Sequence, residues 1–187
     1  MHFITRTAFL FFMTFSLLSC NKALKPEELP AYVVLGGTYY TQIVIHNDKG
    51  AYLTTNYQRG SAIPVNSPVN LISITNKTIT VALTNSSQQL IVKNIEKHTG
   101  DDIYRAFNKL FAMKKVNLSK FTPLEINHIE SGTVAKGMRK EAVIVAIGYP
   151  PITETFSQAN NQWVYWSSRF NRFKVNFENG NVSNIID

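Results

Sequence analysis

Hydrophobic and polar positions change their period along this 187-residue chain, and the changes mark out its elements. Between Ala31 and Asn94 the apolar residues come in short runs or alternate with polar ones. The stretch "TITVALT" (78–84) sets Ile79, Val81 and Leu83 against Thr78, Thr80, Ala82 and Thr84. That period of two is the pattern of a half-buried strand. The whole segment is rich in Val, Ile, Thr and Tyr, and turn signals punctuate it: Asn47-Asp48-Lys49-Gly50, Arg59-Gly60, Asn66-Ser67-Pro68, Asn76-Lys77 and Asn85-Ser86-Ser87. Several short antiparallel strands are therefore expected over 31–98, forming a small barrel or roll that closes its edges on itself.

The period then lengthens. In "TGDDIYRAFNKLFAMKKVNL", Ile103, Phe107, Leu110 and Phe111 fall on one helical stripe, with Thr99 as a candidate cap. Asp101 and Asp102 stand in the first turn and Lys114 and Lys115 in the last, each matched to the helix dipole. A single helix over 99–115, within a connector reaching 125, is expected to brace the lobes on either side. A second helix of about three turns is predicted from Met138, Ala142 and Val145, flanked by Val143, Ala146 and Ile147. Gly148 suits a left-handed cap and Pro150-Pro151 forbids continuation. Phe173, Val175 and Phe177 alternate with Lys174 and Asn176 ahead of Asn179-Gly180, a strong hairpin signal. Helix, stop, aromatic strand and hairpin over 126–187 make the fold class α+β, with a helix on an antiparallel three-stranded sheet.

The first residues belong to neither pattern. Arg6 precedes an uncharged apolar run from Thr7 to Leu18, too short for a span of roughly 20 residues and of a length that suits a signal peptide. Leu17-Leu18-Ser19-Cys20 resembles the bacterial lipobox, which implies cleavage after residue 19 and acylation of Cys20, the only cysteine in the chain. A covalent lipid on Cys20 is thus the one attached group expected, with no cofactor and no metal. Asn21, where Asp would signal retention in the inner membrane, points to an outer-membrane, periplasm-facing location. The polar, proline-bounded stretch 20–30 reads as a tether.

Charge narrows the partners. Removing Met1–Ser19 leaves 18 basic residues against 12 acidic, a formal +6. No run of five basic residues and no recognition motif accompanies it, so the membrane through its anchor and envelope proteins are the expected partners, not nucleic acid. His46, His98 and His128 stand far apart, and neither HExxH nor GxSxG occurs. Gly132 and Gly137 match no phosphate-binding spacing. The carboxylate pairs Glu27-Glu28 and Asp101-Asp102 are explained by the tether and by a helix start. The sequons at Asn76, Asn85, Asn117 and Asn181 read, beside a lipobox, as turn and strand residues. A non-enzymatic protein is expected.

Within 126–187 the order "KGMRKEAVIVAIGYPPITETF…NNQWVYWSSRFNRFKVNFENGNVSNI" resembles the SmpA/OmlA (BamE-type) family, small lipoproteins of the outer-membrane β-barrel assembly machinery. The residues that carry the resemblance are Gly137, Met138, Lys140, Glu141, Val143, Gly148, Pro150, Trp163, Tyr165, Phe177, Gly180 and Val182. It covers about 60 residues and implies a scaffold or accessory role in barrel assembly. Two departures stand beside it. Arg139 replaces the family's capping Thr or Ser, so the helix is expected either to start differently or to borrow a cap from upstream, from Ser131 or Thr133. The β-rich segment 31–98, in which "NYQRGSAIPVNSPV" resembles passages of SH3-like barrels, has no counterpart in that compact family. A structural lipoprotein of a secretion or transport machine, or an inhibitor or ligand-binding lipoprotein, are the alternatives.

The candidate partner-binding residues are Tyr149, Phe156, Trp163, Tyr165, Trp166, Arg169 and Arg172, with Phe170 among them. On a strand, Trp163 and Tyr165 point one way and Val164 and Trp166 the other. One side is expected to be core; the opposite side, where exposed, offers aromatic rings beside arginines, a composition suited to a protein interface.

Overall fold

The computed structural model describes residues 22–86 and 88–187; the expected signal peptide and Cys20, the expected lipidation site, lie outside the described residues. The chain is α+β, with two packed cores in contact.

The first core sits under a curled six-stranded sheet. Its strands are β1 (Thr38–Thr41), β3 (Ala51–Leu53), β5 (Pro68–Ile74), β6 (Thr78–Leu83), β7 (Gln89–Lys93) and β8 (Phe111–Ala112), in the order β3-β7-β6-β5-β1-β8. The alternation carries through: Ile79 and Val81 face inward opposite Val92 and Leu90. The anticipated turns fall between strands, and β2 (Ile45–Asn47) pairs with β4 (Ser61–Ile63) across the intervening β3. Lys49 and Gly50 both take positive φ, the two-residue turn that matches strand twist. Gly60 allows a still closer approach, since a Cβ there would lie 2.1 Å from the Asn47 carbonyl oxygen. One pairing departs from expectation: β3 and β7 run parallel. A period of two fixes which face is buried; it does not choose the neighbouring strand.

The helix over 99–115 is shorter and starts later than expected. Glu96–Thr99 (α1) ends at Gly100 in the left-handed region, and Ile103–Leu110 (α2) follows, with Asp102 Oδ1 accepting from Arg105 N–H at 2.8 Å. Thr99 therefore closes one helix and does not cap the next. Phe111 turns out of the helix to pair with Thr41, placing Lys114 and Lys115 beyond the last turn. Ile103, Phe107 and Leu110 are buried in the first core, and Phe107 meets Tyr39 edge-on at 5.0 Å. At roughly 1.5–3 kcal/mol each, these side chains outweigh the propensity of eight residues.

The stretch read as a tether is corrected from Leu24 onward. Leu24 and Leu29 pack against the first core, Leu24 N–H donates to the Ile74 carbonyl at 2.8 Å, and a short 3-10 turn (Pro26–Glu28) lies between them. Glu28 accepts from Lys25 N–H at 2.7 Å. Two leucines five residues apart form no periodic signal, yet this turn brings both onto the sheet.

The second core holds α3 (Pro123–Ser131) and α4 (Lys140–Ile147) against β9 (Gln162–Trp166), β10 (Arg172–Glu178) and β11 (Asn181–Ile186), ordered β11-β10-β9. The Asn179-Gly180 hairpin is present, with φ of 50° and 81°. Sequence reasoning missed α3, and a boundary at 126 would cut it. Its signals were local: Thr122 and Glu125 form a capping box, Pro123 opens the helix and Gly132 closes it.

Arg139 precedes α4 and contributes no side-chain cap; Ser131 and Thr133 do not supply one either, their hydroxyls meeting each other at 2.8 Å. Instead Glu125 takes the Arg139 N–H and guanidinium. Gly148 has φ 76° and ψ −169°, so the helix ends in an extended mirror-image conformation, not a left-handed cap. A Cβ on Gly148 would meet Asn56 Nδ2 at 2.8 Å.

Helix α4 is apolar on nearly every side because it lies between the two cores, Ile144 touching both. Val44 N–H donates to the Val145 carbonyl at 2.9 Å, and Val44 and Val65, from the β-rich segment, join the second core. The Asn56 amide donates to the Ile147 and Tyr149 carbonyls at 2.7 and 2.9 Å. The brace expected of the 99–115 helix is thus supplied by α4 and the loop after β3.

Candidate functional site

Strand β9 divides the candidate aromatics as its pleat requires. Trp163 and Tyr165 point into the second core and are wholly buried, Trp163 lying 4.6 Å from the Phe177 ring and Tyr165 Oη donating to the Gly148 carbonyl at 3.0 Å. These two are framework, and as partner-binding residues they are corrected. Tyr149 is half-buried beneath Lys109, whose ammonium stands 5.0 Å from its ring centroid. Burial, and then the charge of Asp101, raise the Tyr149 phenol above its ordinary range.

Trp166 points the other way and organises the surface where the lobes meet. Its ring stacks on Tyr57 at 5.6 Å and takes His98 edge-on at 5.1 Å. Arg172, its partner across the β9–β10 ladder, sits 4.5 Å from the indole. At that distance the guanidinium and ring face attract by about 0.5–1 kcal/mol. Arg59 lies 5.7 Å from the Tyr57 ring centroid, so each ring of the pair has an arginine beside it. Backbone contacts hold the pair: Tyr57 and Trp166 form a parallel bridge, and Gln58 N–H donates to the Trp166 carbonyl at 3.0 Å.

The loop after α4 closes round this stack. Arg172 Nε donates to Glu154 at 2.9 Å, Ile152 N–H donates to the His98 carbonyl at 2.8 Å, and His98 Nδ1 meets Thr153 Oγ1 at 3.2 Å. On the loops so held, Phe156 is 90% exposed and Phe170 is 80% exposed. Arg169 is exposed beside Phe170, 5.5 Å from its ring. Two polar atoms within the junction, Trp166 Nε1 and Gln58 Oε1, are buried without a hydrogen-bond partner among the described residues. The Gln58 amide nitrogen is fully used, donating to Asn56 and to the Ile147 carbonyl.

Beside the stack lies a cleft of about 100 Å³, lined by Tyr52, Lys109, Tyr149, Ile152 and Phe156 among others. At its floor the buried Asp101 pairs with Lys109. Tyr52 is fully buried and its phenol is raised by desolvation. Among the described residues no three His, Cys, Asp or Glu side chains are grouped as metal ligands would be. His46 leans on the Gly132 carbonyl at 3.3 Å and is lowered by burial, and His128 meets Thr133 at 2.8 Å, so the histidines are dispersed.

Of the sequence candidates the fold leaves Phe156, Trp166, Arg169 and Arg172 available, with Phe170 beside them. It adds Tyr57, Gln58, His98 and Glu154, which nothing local in the sequence singled out, because each arrives from a separate loop. Comparison with protein-family models, with curated proteins and with solved structures returned no match.

Proposed function

We propose that this chain is a non-enzymatic, lipid-anchored lipoprotein of the bacterial outer membrane that binds protein partners, in the manner of a scaffold for outer-membrane protein assembly. One observation carries the binding role: Phe156 and Phe170 stand almost fully in solvent on loops that flank the Arg172–Glu154 pair and the Trp166 stack. Scattered exposed apolar residues are ordinary, but two aromatic rings on one arginine-bearing rim resemble the anchors of an interface.

The BamE-like reading of 126–187 is supported by packing. Met138, Val143, Trp163, Tyr165, Phe177 and Val182, all on its motif, converge in one core of two helices and three strands. These are framework residues, so they speak to fold, and the partner must be argued from the surface. The curl of the first sheet is what supports an SH3-like description of 31–98. That extra lobe favours a second reading, a structural lipoprotein of a secretion or transport machine.

Among the described residues no helix is long and apolar enough to cross a membrane, and the anchor in this proposal is Cys20. Mass analysis of the native N-terminal peptide is expected to find an acylated Cys20; a free thiol there ends the anchored reading. Purification of the tagged protein from gently solubilised envelope, with a Cys20→Ala control, is expected to recover barrel-assembly subunits in fixed ratio. Secretion-channel subunits would transfer the protein to the second reading, and no stable partner would sink both. The pair Phe156→Ser and Phe170→Ser, each side chain being solvent-exposed, should leave the fold intact by circular dichroism. Losing two anchors of roughly 1–2 kcal/mol each should weaken partner recovery by at least about tenfold.

A further inference from the structure

The described fold begins four residues after Cys20, because Leu24 is already hydrogen-bonded to the end of β5 through the Ile74 carbonyl. Four extended residues reach at most about 14 Å. A lipid on Cys20 therefore leaves the first lobe no length on which to swing away from the bilayer, and the surface nearest the end of β5 must lie close to it.

That surface has a definite character. Beyond Ile74 the β5–β6 turn carries Lys77, whose carbonyl accepts from Asn94 N–H at 2.8 Å. Across the outer face of the sheet, Ser73, Thr80 and Ile91 stand in register, as do Thr78 and Lys93. Ile72 bulges out where the β5–β6 register shifts, and is 43% exposed; Ile91 is 40% exposed. The inward residues of the same strands, Leu71, Val81 and Leu90, are fully buried. Lys77 and Lys93 enter no ion pair among the described residues, whereas nearby Lys25 is taken by Glu27.

Resting on the lipidation reading above, we infer that the outer face of the six-stranded sheet is a bilayer-contact surface. With Cys20 anchored, Ile72 and Ile91 lie at headgroup level and Lys77 and Lys93 meet the phosphates of anionic lipid. A short leash sets the distance, a row of isoleucine, threonine and serine tolerates the interface, and unpaired lysines supply the preference for anionic headgroups. The first lobe then acts as a foot that fixes the orientation of the Trp166 rim, where a flexible tether would let it tumble.

The single cysteine lets the anchor be supplied chemically. The chain from Cys20 onward is coupled to a maleimide-headgroup lipid in vesicles of phosphatidylglycerol and phosphatidylcholine, or of phosphatidylcholine alone. Lysines are then acylated with a water-soluble reagent and read one by one by mass spectrometry. On the anionic vesicles, labelling of Lys77 and Lys93 is expected to fall about fivefold or more, the worth of one basic contact with such a surface. Lys136 and Lys174, on the second lobe, should keep the labelling they show before coupling. Uniform labelling of all four, or equal protection on neutral vesicles, overturns the inference. Because the maleimide replaces the natural acyl chains, this result is independent of whether the cell lipidates Cys20, which the peptide mass decides separately.

Discussion

Replacing Glu125 by Ala should lower the stability of the protein by about 2 kcal/mol, the loss expected when a helix-capping acceptor is removed and its backbone donors are left unpaired. Glu125 is only 1% exposed, although its partner Arg139 reaches the surface. Its Oε1 accepts from the Arg139 N–H and from Arg139 Nε, both at 2.9 Å. Its Oε2 accepts from Arg139 Nη2 at 2.7 Å and from Thr122 N–H at 2.9 Å. One carboxylate thus completes the capping box of α3 and holds the residue from which α4 starts, so its loss loosens both helices of the second core. Urea unfolding of the E125A variant checks the magnitude.

The same contacts make the effect dependent on pH. The guanidinium hydrogen bond first, and then the backbone donors, hold the Glu125 carboxyl at about 2, below its ordinary 4.5. A depressed carboxyl contributes stability that is complete above the unfolded value and is lost as the folded value is approached. Its contribution should be full above pH 4.5, decline between 4.5 and 2, and be gone below that. The E125Q variant, which cannot titrate, should show a flatter acid limb over that window. An unchanged limb would mean that other carboxylates govern acid unfolding. The pair Glu125→Leu with Arg139→Met removes both charges but leaves the backbone N–H groups of residues 122 and 139 without their carboxylate acceptor, so it should recover only the part of the loss that comes from the unpaired guanidinium.

This pair also shows where sequence reading runs out. The strands of the first lobe, the α4 stop and the β10–β11 hairpin were legible because each is written locally, as a period, a glycine at positive φ or a proline. Helix α3 was written as plainly, in Thr122, Pro123, Glu125 and Gly132, but Leu124, Ile126 and Ile129 make a thin stripe that the search for periodicity passed over. Arg139 is the lost cap the sequence announced, but its pairing with Glu125, fourteen residues earlier, was invisible. The site suffers from the same limit more severely. That Trp163 and Trp166 face opposite ways follows from the pleat, but that Trp166 meets Tyr57 and His98 follows from folding the two lobes together. The chain from Leu24 to Leu29 was misread for a related reason: its docking partner, the end of β5, lies about fifty residues away.

The junction between the lobes should respond most strongly to Asn56. This residue is buried, takes φ 62°, and uses its whole amide: Nδ2 donates to the Ile147 and Tyr149 carbonyls, while Oδ1 accepts from Tyr52 Oη at 3.3 Å and from Gln58 Nε2 at 2.8 Å. Alanine there loses every one of these bonds and must hold a left-handed backbone, a strain of roughly 1–2 kcal/mol added to roughly 1–3 for the stranded groups. Asn56→Ala should therefore destabilise by about 3–4 kcal/mol in total. Asn56→Gly removes the same bonds without the strain, so it should recover about 1 kcal/mol of that loss, and the difference between the two variants isolates the backbone part. Because these bonds join the lobes, calorimetry should also resolve the single transition of the parent into two, the first lobe separating from the second. A loss under about 1 kcal/mol with one sharp transition would show that Val44 and α4 hold the lobes together without Asn56. The Trp166 rim is assembled from both lobes, so it would then survive that substitution, and partner binding would be unaffected. If the two transitions do separate, partner recovery by the Asn56→Ala variant should fall together with the first of them, since Tyr57 and His98 leave Trp166 when the lobes part.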